Sequence, residues 1–131
     1  MGKCSKLVIL AACCQALIAC AGKPANSITV TTGDFHFTPT SWTVLAGKPL
    51  TLTIINEGSA SHEWVLLKKG VNATPPFTED HKQDVYTEVD VQPGEKKLVT
   101  FTAPAEPGTY DVICGMAGHL ENGMRATLVV E

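Results

Sequence analysis

The sequence predicts an all-β protein, a single Greek-key β-sandwich or barrel of about eight short strands. Apolar residues recur with a period of two, as in SITVTT and PLTLTIIN, and no stretch sustains the 3.6-residue apolar period of an amphipathic helix. Eleven glycines and eight prolines are scattered among those runs, as the joints of many short strands require. A chain of 131 residues, 44% hydrophobic, can core one domain but not two.

The chain opens on a different kind of segment. MGKCSK carries two lysines and precedes LVILAACCQALIA, an uncharged run too short to span a bilayer and laid out like a secretory signal. It ends at Leu17, Ile18, Ala19 and Cys20, which resembles a bacterial lipobox. Residues 1–19 are therefore expected to be a lipoprotein signal peptide, Cys20 the lipid-modified first residue, and 20–26 a short tether. A second lipobox-like string, LAAC at 10–13, would cut the apolar core to about half the usual minimum of roughly seven residues. An ordinary signal peptide cut near Ala21 is the plainer alternative. Either way the domain, 27–131, is exported. The lipoprotein reading anchors it to the outer face of the cytoplasmic membrane, on the periplasmic side or at the cell surface.

Two consequences follow from removing the signal. Lys3 and Lys6 leave with it, so eight basic residues remain against 13 acidic ones. That balance argues against nucleic acid and allows steering toward a basic partner. Of five cysteines, Cys4, Cys13 and Cys14 also leave and Cys20 carries lipid, so the folded domain holds Cys114 alone. A lone cysteine in an oxidising compartment is expected to be occupied by something other than sulfur.

The strands follow in order. SITVTT is rich in β-branched residues. GDFHFTP places Phe35 and Phe37 on one face and His36 on the other. WTVLAG and PLTLTIIN follow, the latter aligning Leu50, Leu52 and Ile54. After the EGSAS turn come HEWVLL and, later, KKLVTFTAP, GTYDVIC and MRATLVV. Residues 68–95 are polar and acidic, and read as an excursion from the sandwich with a short helix or turn before a weak strand at 86–91. Trp42, Trp64 and Tyr110 fall on apolar-alternating strands and are assigned to packing. The acidic residues Glu79, Asp80 and Asp84 read as a solvated loop.

Within YDVICGMAGHLENGMRATLVV, Cys114, His119 and Met124 follow one another at intervals of five. Cys114 ends a strand, His119 sits in a Gly-bounded loop and Met124 precedes the next strand, so one end of the sandwich can gather all three. Thiolate with imidazole selects copper, zinc or iron, and a weak thioether points to copper. A second imidazole is needed. His62, opening HEWVLL after the SAS turn, is the candidate; His36 reads as a surface residue and His81 as solvated. A cysteine nucleophile with a histidine base is the rival reading, but it leaves His62 and Met124 unexplained. A binuclear copper centre would need a second loop cysteine, and a copper-delivery protein tends to use exposed Met or Cys clusters.

Over about 31–130 the sequence resembles the cupredoxins, small blue-copper proteins. Phe35, Phe37, Pro39, Val44, Ala46 and Gly47 resemble the opening FxFxP…VxAG pattern, and Cys114, His119 and Met124 the Cys-x4-His-x4-Met loop. The loop spacing, HxWVL and GMRATL are most similar to the auracyanin type of membrane-associated bacterial electron carrier. The resemblance implies one mononuclear type 1 copper ion, with His62, Cys114 and His119 as equatorial ligands and Met124 as the long axial one. It implies a monomeric electron carrier rather than an enzyme, serving partners such as a c-type cytochrome or a membrane electron-transfer complex. Asn56, Glu63 and Gly115 would flank the ligands. Glu63 stands where the family usually has Asn, and is expected to tune the potential and its pH dependence, or else to be simply exposed. Met116, Ala117 and Leu120 are expected around the exposed edge of His119 as a docking patch.

Overall fold

The computed structural model describes residues 24–131; the expected signal peptide and Cys20 lie outside the described residues. Nine strands appear there: β1 (Ser27–Gly33), β2 (His36–Thr38), β3 (Ser41–Val44), β4 (Pro49–Asn56), β5 (His62–Leu67), β6 (Val85–Val91), β7 (Lys96–Thr102), β8 (Gly108–Ile113) and β9 (Arg125–Val130). They form a four-stranded sheet, β2-β1-β4-β7, and a five-stranded sheet, β3-β9-β8-β5-β6. The β1–β4 and β3–β9 pairs are parallel and the others antiparallel. The architecture is a β-sandwich. One strand more than expected appears because the weak segment pairs fully with β5, from His62↔Val91 to Leu67↔Val85.

Alternation explains the core. In β4, Leu50, Leu52 and Ile54 point inward while Thr51, Thr53 and Ile55 stay partly exposed. They meet Trp64, Leu66, Val112 and Leu128 from the larger sheet, each such burial stabilising by about 1.5–3 kcal/mol. Trp64 sits at the centre with no exposed surface. It packs edge-on to Trp42 at 6.4 Å and tilted to Phe101 at 6.1 Å, within the usual range for aromatic pairs. The packing role expected of Trp42, Trp64 and Tyr110 agrees with their burial.

The excursion departs from the expected solvated loop. It does contain a short 3-10 helix, Glu79–Asp84, but while Val89 and Val91 enter the inner core with β6, its apolar residues up to Val85 fold onto the outer face of the larger sheet. Ala73 is buried there with Val65, Leu67, Ile113 and Leu120, flanked by Val71, Phe77 and Val85. Arg125 secures the segment by donating from Nη2 to Ala73 O at 2.7 Å. His81 stacks on Phe77 at 5.5 Å and its Nδ1 accepts from the Thr78 N–H at 3.2 Å, so it is a local cap rather than a free ring.

Phe35 also departs from expectation. Phe37 enters the core, but Phe35 has a φ of +64° in the turn between β1 and β2 and remains 46% exposed. Strict alternation fails because the turn inverts the backbone at that residue. A left-handed conformation at a bulky side chain costs about 1–3 kcal/mol. At the other end of β1 the chain is already tied down before the first strand. The Ala25 N–H donates to Thr43 O, and Asn26 O accepts from the Thr51 N–H, both at 3.0 Å.

Candidate metal centre

Strand order brings the donors together. β5 and β8 are neighbours, paired Val65↔Ile113, and β8 pairs with β9, so the start of β5, the end of β8 and the approach to β9 share one end of the larger sheet. His62 opens β5, Cys114 follows β8 and Met124 precedes β9. The intervening loop closes on itself. The Cys114 N–H donates to Met124 O at 3.1 Å, and the Met124 N–H to His119 O at 3.0 Å. Gly118 and Gly123, each at a φ of +84°, provide the left-handed turns that this compact ring needs.

His62, Cys114 and His119 converge, with one donor atom from each lying within 4.8 Å of the others. Cys114 Sγ is 3.3 Å from His119 Nδ1 and 3.9 Å from His62 Nδ1, and the two Nδ1 atoms are 3.2 Å apart. His62, Cys114 and Met124 are completely buried, whereas His119 is partly exposed. Met124 shares the inner core cluster with Cys114.

Electrostatics give this arrangement its meaning. Burial, then the neighbouring His119, lowers the His62 pKa below the ordinary imidazole value, so its ring is held neutral and able to ligate. Burial raises the Cys114 thiol pKa, against the pull of backbone N–H groups of Glu63 and Met116. One imidazole and a thiol have thus been taken out of water and turned toward each other and toward the second imidazole, which is unfavourable without a partner. A cation that accepts two nitrogens and a thiolate, with a thioether close by, provides one, and that mixed donor set fits copper. Metal uptake then takes the place of the thiol proton.

The surrounding residues divide by role. Asn56 clamps the loop leading into His62. Its Nδ2 donates to Ala60 O at 2.8 Å and Val91 O at 3.3 Å, and its Oδ1 accepts from the Gly58 N–H at 2.9 Å. Glu63 addresses the thiol through its backbone, whose N–H donates to Cys114 Sγ at 3.4 Å. Its carboxylate lies against Gly115, where an added Cβ would meet Glu63 Oε2. A side chain at Gly115 would make the Glu63 carboxylate shift.

Around His119, Ala117 is exposed and Met116 is partly buried against the inner core. Leu120 corrects the expected docking patch: at 4% exposure it belongs to the outer cluster and offers a partner no surface. His36 is exposed, with Nδ1 3.1 Å from Asp34 O, and is not among the donors. Two contributors escaped the sequence reading. Phe35 meets the His119 ring edge-on, with centroids 5.1 Å apart. Asp34 accepts from the Ser59 N–H at 2.9 Å and hydroxyl at 3.0 Å, tying its turn to the loop before His62. The FxF string marked Phe35 as a feature, but nothing in it signalled a left-handed turn.

The sequence profile of the cupredoxin-like domain matches residues 5–130. A comparison with curated protein sequences gives no significant match. Among solved structures, auracyanin A, a blue copper protein from the green thermophilic photosynthetic bacterium Chloroflexus aurantiacus, is similar at 31% identity and a TM-score of 0.65, covering 83% of this chain and 100% of that one. Reduced auracyanin from the photosynthetic bacterium Roseiflexus castenholzii is similar at 28% identity and a TM-score of 0.69, covering 83% and 99%. Auracyanin B shows 27% identity and a TM-score of 0.70, covering 85% and 92%. The His62, Cys114, His119 and Met124 cluster is a single type 1 copper site. Matched along nearly its whole length, the chain belongs to the cupredoxin-like domain family.

Proposed function

We propose that the protein carries single electrons between redox partners at the outer face of the cytoplasmic membrane, held there as a monomer by lipid on Cys20. One observation carries the electron-transfer reading: three donors are sealed from solvent while the fourth, His119, reaches the surface. A bound copper ion supplies the one-electron couple. The chain holds the thiol and both imidazoles in place from the start of β5, the end of β8 and the loop between β8 and β9, excludes water from Cys114 and His62, and leaves an imidazole edge within reach of a docked partner. Rigid placement of this kind keeps rearrangement small when the charge at the site changes.

A copper-delivery role is less well served, since release would have to open donors that are completely buried. The similarity to auracyanins supports the electron-carrier reading, and the lipobox-like sequence supports the membrane tether. The acidic balance of the exported part favours a basic partner, such as a c-type cytochrome, over an acidic one.

Adding Cu(II) to the purified domain should develop an intense thiolate-to-copper absorption that bleaches with ascorbate and returns on oxidation. Cys114→Ala should abolish it. No absorption from a folded wild-type domain would overturn the copper reading. For the tether, the native full-length chain should partition with membranes and Cys20→Ala should release it to the soluble fraction. Stopped-flow mixing with a reduced basic cytochrome should give electron transfer that slows as salt rises.

A further inference from the structure

Phe35 occupies the second position of the two-residue turn closed by the Gly33↔His36 pair. Among the described residues it is the one non-glycine residue with a positive φ, +64°. Gly, Asn or Asp ordinarily fills such a position. Core packing does not explain the phenylalanine, because 46% of its surface is exposed. The ring instead meets His119, with centroids 5.1 Å apart and planes at 70°, the edge-to-face arrangement that aromatic rings favour. Strain maintained to present one exposed ring to one imidazole points to function.

His119 is the donor with most freedom. It is partly exposed, unlike the other three. Among the described residues its side-chain polar contacts run through Nδ1 alone, to Cys114 Sγ and His62 Nδ1. The Cβ–Cγ torsion of histidine is broad, so contact at one ring atom leaves the plane of the ring poorly determined. Phe35 adds a contact with the ring as a whole, and its own turn is anchored through Asp34 to Ser59 in the loop before His62. The turn therefore links the surroundings of both histidines.

We infer that Phe35 is a positioning residue whose ring braces His119 and sets the plane of its imidazole toward Cys114 and His62. The inference rests on the reading of His119 as a copper ligand. Holding the exposed ligand still limits reorganisation when an electron passes, so the brace speeds exchange rather than creating the site.

The first measurement uses the metal-free protein, which separates this inference from the electron-carrier reading. Phe35→Gly relieves the left-handed strain, and its Tm should equal or exceed the wild-type value. NMR relaxation of the isotopically labelled His119 ring should nevertheless show increased motion. Phe35→Leu keeps the strain and the apolar surface but lacks an aromatic edge, and should show the same increase. Copper-loaded Phe35→Gly should retain its visible absorption while electron self-exchange slows. An unchanged His119 ring in Phe35→Gly, or full order retained in Phe35→Leu, would overturn the brace. A wild-type protein that takes up no copper would overturn the electron-carrier reading, leaving the ring measurement to decide the brace.

Discussion

The two sheets of the sandwich are covered differently. In the smaller sheet the interior strand β4 buries every second side chain and leaves the alternate ones partly in water. In the larger sheet, β5 buries His62, Trp64 and Leu66 on the inner side and Val65 and Leu67 on the outer side, beneath residues 71–85 of the excursion. His62 opens β5 and Cys114 follows β8, where consecutive residues are buried on both faces, whereas Met124 precedes β9, whose outer face stays partly exposed. The smaller sheet contributes props instead, Asn56 at the end of β4 and Phe35 in the turn after β1. His62 and Cys114 are thus located where strands are gripped from both faces, and the polar excursion buttresses that part of the site.

The strongest test of that contrast compares two apolar truncations. Ile113→Ala, beside Cys114 in the outer cluster, should lose about 2–5 kcal/mol in denaturant unfolding of the metal-free protein, as buried large-to-small changes do. Leu98→Ala, on the open face of the smaller sheet at 65% exposure, should change stability by no more than about 0.5 kcal/mol. Equal losses would mean that the excursion supports nothing.

Asn56→Ala should have the next largest effect. It removes the hydrogen bonds that shape the loop into His62, one of them buried and two part-buried, a loss of about 1–3 kcal/mol. The copper-loaded variant should also show a shifted visible spectrum. An unshifted spectrum would confine Asn56 to stability.

The smallest effect is expected at Asp34, and it depends on pH. The Ser59 N–H, then the Ser59 hydroxyl, hold its carboxyl pKa below the ordinary value of 3.8. A lowered pKa means that the unfolded chain binds the proton more readily, so the stabilisation is present above pH 3.8 and disappears as pH falls through the folded value. Asp34→Ala should lower Tm above that range, and the difference from wild type should close in acid. A difference that persisted undiminished in acid would show that the charge is irrelevant to the tie.

Several of these features could be read before the fold was known. Leu50, Leu52 and Ile54 announced their common face because a strand alternates side chains by geometry alone. The spacing of Cys114, His119 and Met124 within one segment showed that a single loop could bring sulfur and nitrogen together. His62 was found by the same chemical logic, from the need for a second imidazole and its place at the head of a strand. Asn56 was marked only by its place before the ligand turn; its three hydrogen bonds required the strands to be assembled.

Other residues misled for identifiable reasons. Leu120 lies next to His119 in sequence and was expected at the surface, but a tight loop sends neighbouring side chains in different directions, and its own enters the outer cluster. Phe35 shares the FxF alternation with Phe37 until a left-handed turn reverses it. The excursion looked solvated because its few apolar residues, Val71, Ala73, Phe77 and Val85, are spread through polar sequence and become a cluster only against β5 and β8.

Local chemistry determined the strand-rich class, the donor types and the copper preference, since periodicity and ligand softness belong to residues wherever they stand. Tertiary structure decided which distant groups meet: the excursion with the outer face of β5, Asp34 with Ser59, and Phe35 with His119. Those contacts depend on sheet order and on the hand of a single turn, and short-range sequence patterns encode neither.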